Sequence, residues 1–217
     1  LKRVERMRFE EWEPHYLEIL AYFGFDREMD EEAARVIAAL AVRDDLSLLI
    51  QTLQGQEVTV CGNAPTLTRD LDTVRGIVLA ADGAADVLDH HGIRPAVVFT
   101  DLDGATDRFL MMNEGGTIMV VHAHGDNIPL IRYWLPKFLG PFVATTQASP
   151  LPHVHNFGGF TDGDRAIFAA DSLSARSIRL VGFDLDDPDV DPVKHGKLMW
   201  AGWLLSLTGH GPKRSHP

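Results

Sequence analysis

Five short segments carry side chains whose types and spacing suit phosphate chemistry: Cys61-Gly-Asn-Ala-Pro-Thr66, Ala80-Ala-Asp-Gly-Ala84, Thr100-Asp-Leu-Asp-Gly104, His122-Ala-His-Gly-Asp-Asn127 and Asn156-Phe-Gly-Gly-Phe-Thr-Asp-Gly-Asp-Arg-Ala166. In the third, Asp101 and Asp103 alternate about Leu102, so an extended backbone puts both carboxylates on one side, about 6.5 Å apart. That spacing suits one or two magnesium ions bound through oxygens and water. A phosphatase uses the same Asp-x-Asp for nucleophilic attack, so two chemistries compete for one loop.

The other segments add donors. Gly62 permits a tight turn whose backbone N–H groups favour phosphate, and Thr66 is placed to cap a following helix; without a Walker lysine this is no P-loop. Asp82 stands before Gly83, where the backbone can approach a ligand, and suits a ribose hydroxyl, a metal or a helix cap. His122 and His124 share one side of a strand end, but zinc would need a third close ligand that the spacing does not supply. Asn127 is positioned to cap a helix from Ile128 while Asp126 faces a ligand; His153 and His155 stay ambiguous. Asp162, Asp164 and Arg165 open another helix near its positive end, in a cluster richer than capping requires.

Residues 4 to about 54 read as helical. Trp12, Tyr16, Ile19, Leu20 and Phe23 recur at helical spacing up to Gly24, Asp30 caps a second helix, and Leu46, Leu49, Ile50 and Leu53 continue to Gly55. This part shows no chemistry of its own and suits a scaffold or a homodimer surface. Beyond it, six β-rich apolar runs (58–61, 77–80, 96–100, 118–122, 142–145 and 178–181) alternate with helical stretches. Continuous apolar runs are expected of strands buried on both faces of a parallel sheet, and alternating βα units predict an open α/β sheet. Five of the six runs are followed at once by one of the polar loops or by Gly182-Phe-Asp-Leu-Asp186, where such sheets bind ligands. The expected division is a helical segment at 1–55, an α/β catalytic domain at 56–210 and a flexible tail at 211–217.

Acidic residues outnumber basic ones by 31 to 20 in 217 residues, a formal charge of −11. That argues against a general nucleic-acid binder, though not against phosphate substrates, because bound cations invert a local field. Cys61 is the single cysteine, which excludes an intrachain disulfide and a cysteine zinc cluster. No apolar run approaches the roughly 18 residues of a membrane span and no signal-peptide pattern opens the chain, so a cytoplasmic protein without a membrane partner is expected.

The phosphatase reading of Thr100-Asp-Leu-Asp-Gly104 fails on its other requirements. A haloacid-dehalogenase-type enzyme needs a later strand-end Ser or Thr, then a Lys, then an acidic pair. Thr145 or Thr146 and Asp184 with Asp186 could supply the ends, but no Lys lies between Thr146 and Asp184. Two strands also precede this one, where such folds place the nucleophile first.

Taken in order from about Val58 to Phe183, the quoted segments, together with Thr145-Thr-Gln147, resemble the archaeal 6-hydroxymethyl-7,8-dihydropterin diphosphokinases, the MptE-like enzymes; a weaker likeness reaches the thiamine pyrophosphokinases. The final acidic segment, Leu185-Asp-Asp-Pro-Asp-Val-Asp191, departs from that pattern. The resemblance implies a Rossmann-like open sheet like the thiamine pyrophosphokinase catalytic domain. It implies transfer of diphosphate from ATP to a reduced pterin with release of AMP, in tetrahydromethanopterin or folate-type biosynthesis. On this reading Mg2+ sits on Asp101 and Asp103 with Asp82, and Asp126 and Asp164 join Asp101 and Asp103 as catalytic residues. Gly62, Asn63, Thr66, Asp82, Gly83, Thr161, Asp162, Arg165 and Lys197 bind nucleotide, with Lys194 a further candidate. His124, Asn127, Gln147 and Asn156 face the pterin. The alternatives are a metal-dependent glycosyltransferase-like enzyme, a thiamine-type pyrophosphokinase and a non-catalytic nucleotide-binding module.

Overall fold

The computed structural model describes residues 7–211 and 213–217. Residues 1–6 of the expected helical segment and Pro212 of the expected tail lie outside the described residues. Among the described residues seven strands, β1 (Glu57–Cys61), β2 (Ile77–Ala81), β3 (Val97–Thr100), β4 (Ile118–Ala123), β5 (Phe142–Thr146), β6 (Val154–His155) and β7 (Ser177–Val181), form one sheet. Their order is β6-β5-β4-β3-β2-β1-β7 and every pair is parallel. The fold is therefore the expected α/β class, an open Rossmann-like sheet. All six apolar runs are strands. The additional one, β6, is two residues long, too short to leave a pattern, and is held by register with Ala144 and Thr145.

Among the described residues eight helices surround the sheet: α1 (Phe9–Phe23), α2 (Arg27–Leu40), α3 (Leu46–Leu53), α4 (Ala84–His90), α5 (Asp107–Glu114), α6 (Ile128–Trp134), α7 (Asp162–Ser172) and α8 (Pro192–Thr208). On one face Ala33, Ile37, Leu88, Phe109 and Ile131 pack against Val98, Met119 and Val121. On the other, Leu49, Leu53, Ala166, Ile167 and Ala170 pack against Val60, Leu79, Phe99 and Val143. Because both faces are covered, the central strands β3, β4 and β5 are buried along their whole length. Trp12, Tyr16, Phe160, Trp200 and Trp203 form a third cluster, which joins α1 to α8 beside the sheet.

Helix ends follow local chemistry. Gly24 takes a left-handed conformation (φ 71°) and stops α1, as its spacing predicts. Asp26, rather than Asp30, caps α2: its side chain accepts from Glu28 N. Asp30 lies a turn further in, buried, with other partners. No helix follows Thr66 either; a run of turns and a 3-10 turn at Leu71–Thr73 carry the chain to β2. Leu67 is the one fully buried apolar side chain there, so the segment lacks the stripe that would stabilise a helix in place of single turns.

The chain steps outward from β1 to β6, then α7 crosses the sheet and delivers β7 to the far side of β1. The carboxyl ends of β1 and β7 thus flank the point where strand order reverses, where open α/β sheets bind ligands. After α8, Arg214 pairs with Asp186 through both Nη atoms at 2.7 Å, and His216 bonds Glu18 at 2.8 Å. Among the described residues no helix is long and apolar enough to cross a membrane.

Candidate active site

Thr100, the last residue of β3, organises two loops. Its hydroxyl donates to Asp82 Oδ1 (2.6 Å) and accepts from Leu102 N (2.8 Å). Asp82 follows β2 with φ 43°, a left-handed conformation that Asp tolerates better than most residues. Leu102 is also left-handed (φ 75°) and its side chain is buried. The Asp-x-Asp is therefore not the extended pair its alternation predicts. The turn at Leu102 leaves one carboxylate part-buried at Asp101 and the other exposed at Asp103. Gly104 is required for space: a Cβ there would stand 2.0 Å from Asp82 Oδ2.

The third carboxylate arrives from α7, whose first residue is Asp162. Oxygens of Asp82, Asp101 and Asp162 lie within 4.8 Å of one another, the one such group of three or more His, Cys, Asp or Glu among the described residues. Asp103 stands outside it, its N–H donating to Asp101 Oδ1 (3.2 Å). Burial, with the charges of Asp103 and Asp101, pushes Asp82 up to about 6, against the hydrogen bond from Thr100. Burial and then Asp101 hold Asp162 well above the usual carboxylate range. Burial also presses Asp101 upward, but the hydrogen bond from His124, the Arg165 charge and the Asp103 N–H outweigh it and keep its carboxyl low. Asp103 is raised, by burial and by Asp101. Crowded, part-buried carboxylates offering only oxygens are a donor set for a hard divalent cation.

Two basic side chains flank the set. His124 Nε2 lies 3.5 Å from Asp101 Oδ2, charged only when protonated, and Arg165 Nη1 lies 3.2 Å from Asp162 Oδ1. From Arg165 a chain of hydrogen bonds continues: Nη2 donates to Gln147 Oε1 (3.2 Å), and Gln147 Nε2 donates to Asp30 Oδ2 (2.7 Å). Asp30 also accepts from Tyr16 Oη and from Gly125 N, both at 2.8 Å.

Two cavities meet at the acidic set. The first, about 440 Å³, is lined by Gly62, Asn63, Asp82, Phe183 and Lys194 at the β1/β7 reversal. The second, about 370 Å³, is lined by Phe25, Asp30, Asp101, His124, Gln147 and Phe160. Thr161, Asp162 and Lys197 line both.

The remaining expected residues divide by what their polar atoms already do. Asn127 spends its whole amide on the loops: Nδ2 donates to the carbonyls of Asp101 and His122 (2.7 Å each), and Oδ1 accepts from His124 N (3.0 Å). Asn156 does the same, donating to the Gln147 and Ala148 carbonyls and accepting from Gly158 N. Asp164 is buried and accepts from Phe160 N, Thr161 N and the Thr161 hydroxyl, so it caps α7. Asp126 is exposed and lines the second cavity, outside the group of three carboxylates. Thr66 lines a separate cavity with Arg69 and Arg179. Gly83 packs close to Asn63, where a Cβ would come 2.8 Å from Asn63 Nδ2. His122 is buried, its Nδ1 3.1 Å from Thr145 Oγ1, and burial with nearby Arg165 and His124 holds its imidazole well below its usual range. It serves as a neutral core residue.

Thr100 and Gly104 bound the Asp-Leu-Asp motif, but their bracing roles, like the whole part played by Asp30, show only in the structure. Thr100 leaves a faint signal as the polar end of an apolar run. Asp30 leaves none, because its partners come from three distant segments.

A parallel sheet that brings three carboxylates together at its strand ends, between two cavities, defines the site of an α/β enzyme and offers a donor set that could hold a divalent cation. Residues 34–190 match the family described as 6-hydroxymethylpterin diphosphokinase MptE-like. The chain belongs to this family of diphosphokinases, enzymes of the transferase class. It is 38% identical over 220 residues to the 6-hydroxymethyl-7,8-dihydropterin pyrophosphokinase of Methanothermobacter thermautotrophicus, covering 92% of this chain and 94% of that one. Proteins of the same description from Pyrococcus furiosus (43% over 187 residues, 82% of this chain and 78% of that one) and Methanocaldococcus jannaschii (34% over 194, 82% and 80%) are also similar. Among solved structures, the MAf glycosyltransferase of Magnetospirillum magneticum AMB-1 superposes on 76% of this chain and 29% of that one, at TM-score 0.45 and 16% identity. A likeness that slight carries no inference about activity.

Proposed function

We propose that the protein transfers diphosphate from ATP to the hydroxymethyl group of 6-hydroxymethyl-7,8-dihydropterin, with Mg2+ held by Asp82, Asp101 and Asp162. The observation that carries this reading is the acidic set in the wall between two cavities, one for each co-substrate. The named activity of the relatives supports the acceptor. When bound, the cation supplies charge neutralisation at phosphate oxygens.

The chain's own residues provide positioning. ATP occupies the first cavity, where Gly62 and Asn63 bring backbone close and Lys194 and Lys197 face the phosphates. Phe183, whose ring a Cβ at Gly163 would meet at 2.8 Å, forms an apolar wall. The acceptor oxygen attacks the β-phosphorus of ATP; the bond from that phosphorus to the α,β-bridging oxygen breaks, AMP leaves with the electron pair, and the hydroxyl proton passes to water. Such a step is governed by alignment and charge stabilisation, not by covalent assistance. Lys197 at the common wall, and Arg165 beside Asp162 on the side of the second cavity, meet the charge that develops there. Asp103 extends the donor set on the side of the second cavity. The product is an activated pterin of the kind consumed in tetrahydromethanopterin or folate-type biosynthesis.

Incubation with ATP, Mg2+ and the reduced hydroxymethylpterin tests the reading: AMP and pterin diphosphate are expected in equal amounts. Parallel incubations with GTP and with thiamine define donor and acceptor. Absence of AMP with every acceptor, or AMP only with thiamine, overturns it.

A further inference from the structure

We propose that the corner between α1 and α2 selects the acceptor: Phe25, Met29 and Asp30 form the wall of the second cavity against which a flat, N–H-bearing heterocycle is seated. This rests on the diphosphokinase reading above and deepens it. The corner precedes residues 34–190, so the family match by itself says nothing about it.

The cavity's chemistry is that of a ring site. Its volume of about 370 Å³ lies in the range of small-molecule pockets, which pair apolar walls with a few placed polar groups. Phe25, Met29 and Phe160 give apolar surface for the faces of a bicyclic ring. Phe25 and Met29 are 37% and 48% exposed, so the protein leaves two apolar side chains open beside the cavity, where a bound ring would cover them. At the polar end, Asp30 is 4% exposed and its three donors, Tyr16 Oη, Gln147 Nε2 and Gly125 N, are all neutral. Two of these bonds fall on Oδ2 and one on Oδ1. A carboxylate has about four acceptor positions, so Oδ1 keeps one for a ring N–H. A pyrimidine edge carrying an amino group and an adjacent ring N–H presents that donor.

The same residue is tied to the reacting end. The chain Asp30–Gln147–Arg165–Asp162 is continuous, with links of 2.7, 3.2 and 3.2 Å. Ring recognition and phosphate positioning thus share one frame, which fixes the distance from the heterocycle to the acidic set.

Phe25→Ala and Asp30→Asn, assayed with ATP and acceptor varied separately, test the proposal. Each is expected to raise the acceptor KM at least tenfold while the ATP KM stays within twofold. Unchanged acceptor KM in both, or an equal rise in both substrates' KM, overturns it. Asp30 is buried, so if Asp30→Asn fails to fold, the half-exposed Phe25 decides. Direct titration with 6-hydroxymethylpterin, read by the pterin's own fluorescence, separates this proposal from the reaction it rests on. Binding to the wild-type protein that Phe25→Ala weakens tenfold supports the ring wall even if no AMP is released; no binding to the wild-type protein overturns it.

Discussion

Asp101 and Asp103 show how much two neighbouring carboxylates can differ. Both follow a buried strand, yet the left-handed Leu102 between them leaves Asp101 within reach of Asp82 and Asp162 and leaves Asp103 exposed. A left-handed conformation at a non-glycine residue costs on the order of 1–3 kcal/mol, here offset by the buried Leu102 side chain and the Thr100 hydrogen bond to its N–H. Asp101 is also the member of the set held low, which keeps it ionised when its neighbours resist ionisation. Asp101→Asn is therefore expected to lower magnesium-dependent turnover about a hundredfold or more without loss of the folded circular-dichroism spectrum. Near-normal turnover would take Asp101 out of the cation site.

At the scale of elements, the site is an assembly of loop ends braced by side-chain amides. Asn127 belongs to the loop after β4, yet it carries the Asp101 carbonyl of the loop after β3 as well as its own. Replacing it with Ala leaves two carbonyls without their donor, each worth about 1–3 kcal/mol when buried. Asn127→Ala is expected to lower unfolding free energy by about 2–6 kcal/mol in urea titration and to weaken cation binding, because the Asp101 loop is no longer fixed. A variant with unchanged urea midpoint and unchanged cation affinity would show that the brace is dispensable. The helical corner at Phe25–Asp30 acts in the same way from the other side, through Gly125 N and Gln147.

At the scale of the molecule, stability and cation binding are linked through protons. Asp82 titrates at about 6 in the folded protein, against about 3.9 in an unfolded chain. Its raised value means that the cation-free fold binds this proton more tightly than the unfolded chain does. The contribution is present below about pH 4 and is lost as pH rises through 6. A divalent cation offsets that loss, but at pH 5 it must displace the proton. From Asp82 alone its apparent affinity is expected to fall about tenfold between pH 7 and pH 5, and the raised Asp162 adds to that fall, so Mg2+ should raise the melting temperature clearly at pH 7.5 and little at pH 5. An increase independent of pH would show that Asp82 does not ligate the ion.

The six strand runs, the α/β class and the loops that build the candidate site were legible in the chain because they depend on local patterns: apolar periodicity, turn residues and short motifs. Sequence also placed Asp82, Asp101 and Asp162 at strand or helix ends. It did not decide which carboxylates converge, because that depends on the backbone angle at Leu102 and on α7 crossing the sheet to bring Asp162 beside loops far from it in the chain. Nor did it distinguish Asn127 and Asn156, whose amides are consumed by the backbone, from side chains with polar atoms to spare. Asp30 reads as a helix cap by composition and becomes part of the site only through Tyr16, Gly125 and Gln147. Local patterns are written within a few residues, whereas hydrogen-bond partners and electrostatic neighbours are set by packing across the whole fold.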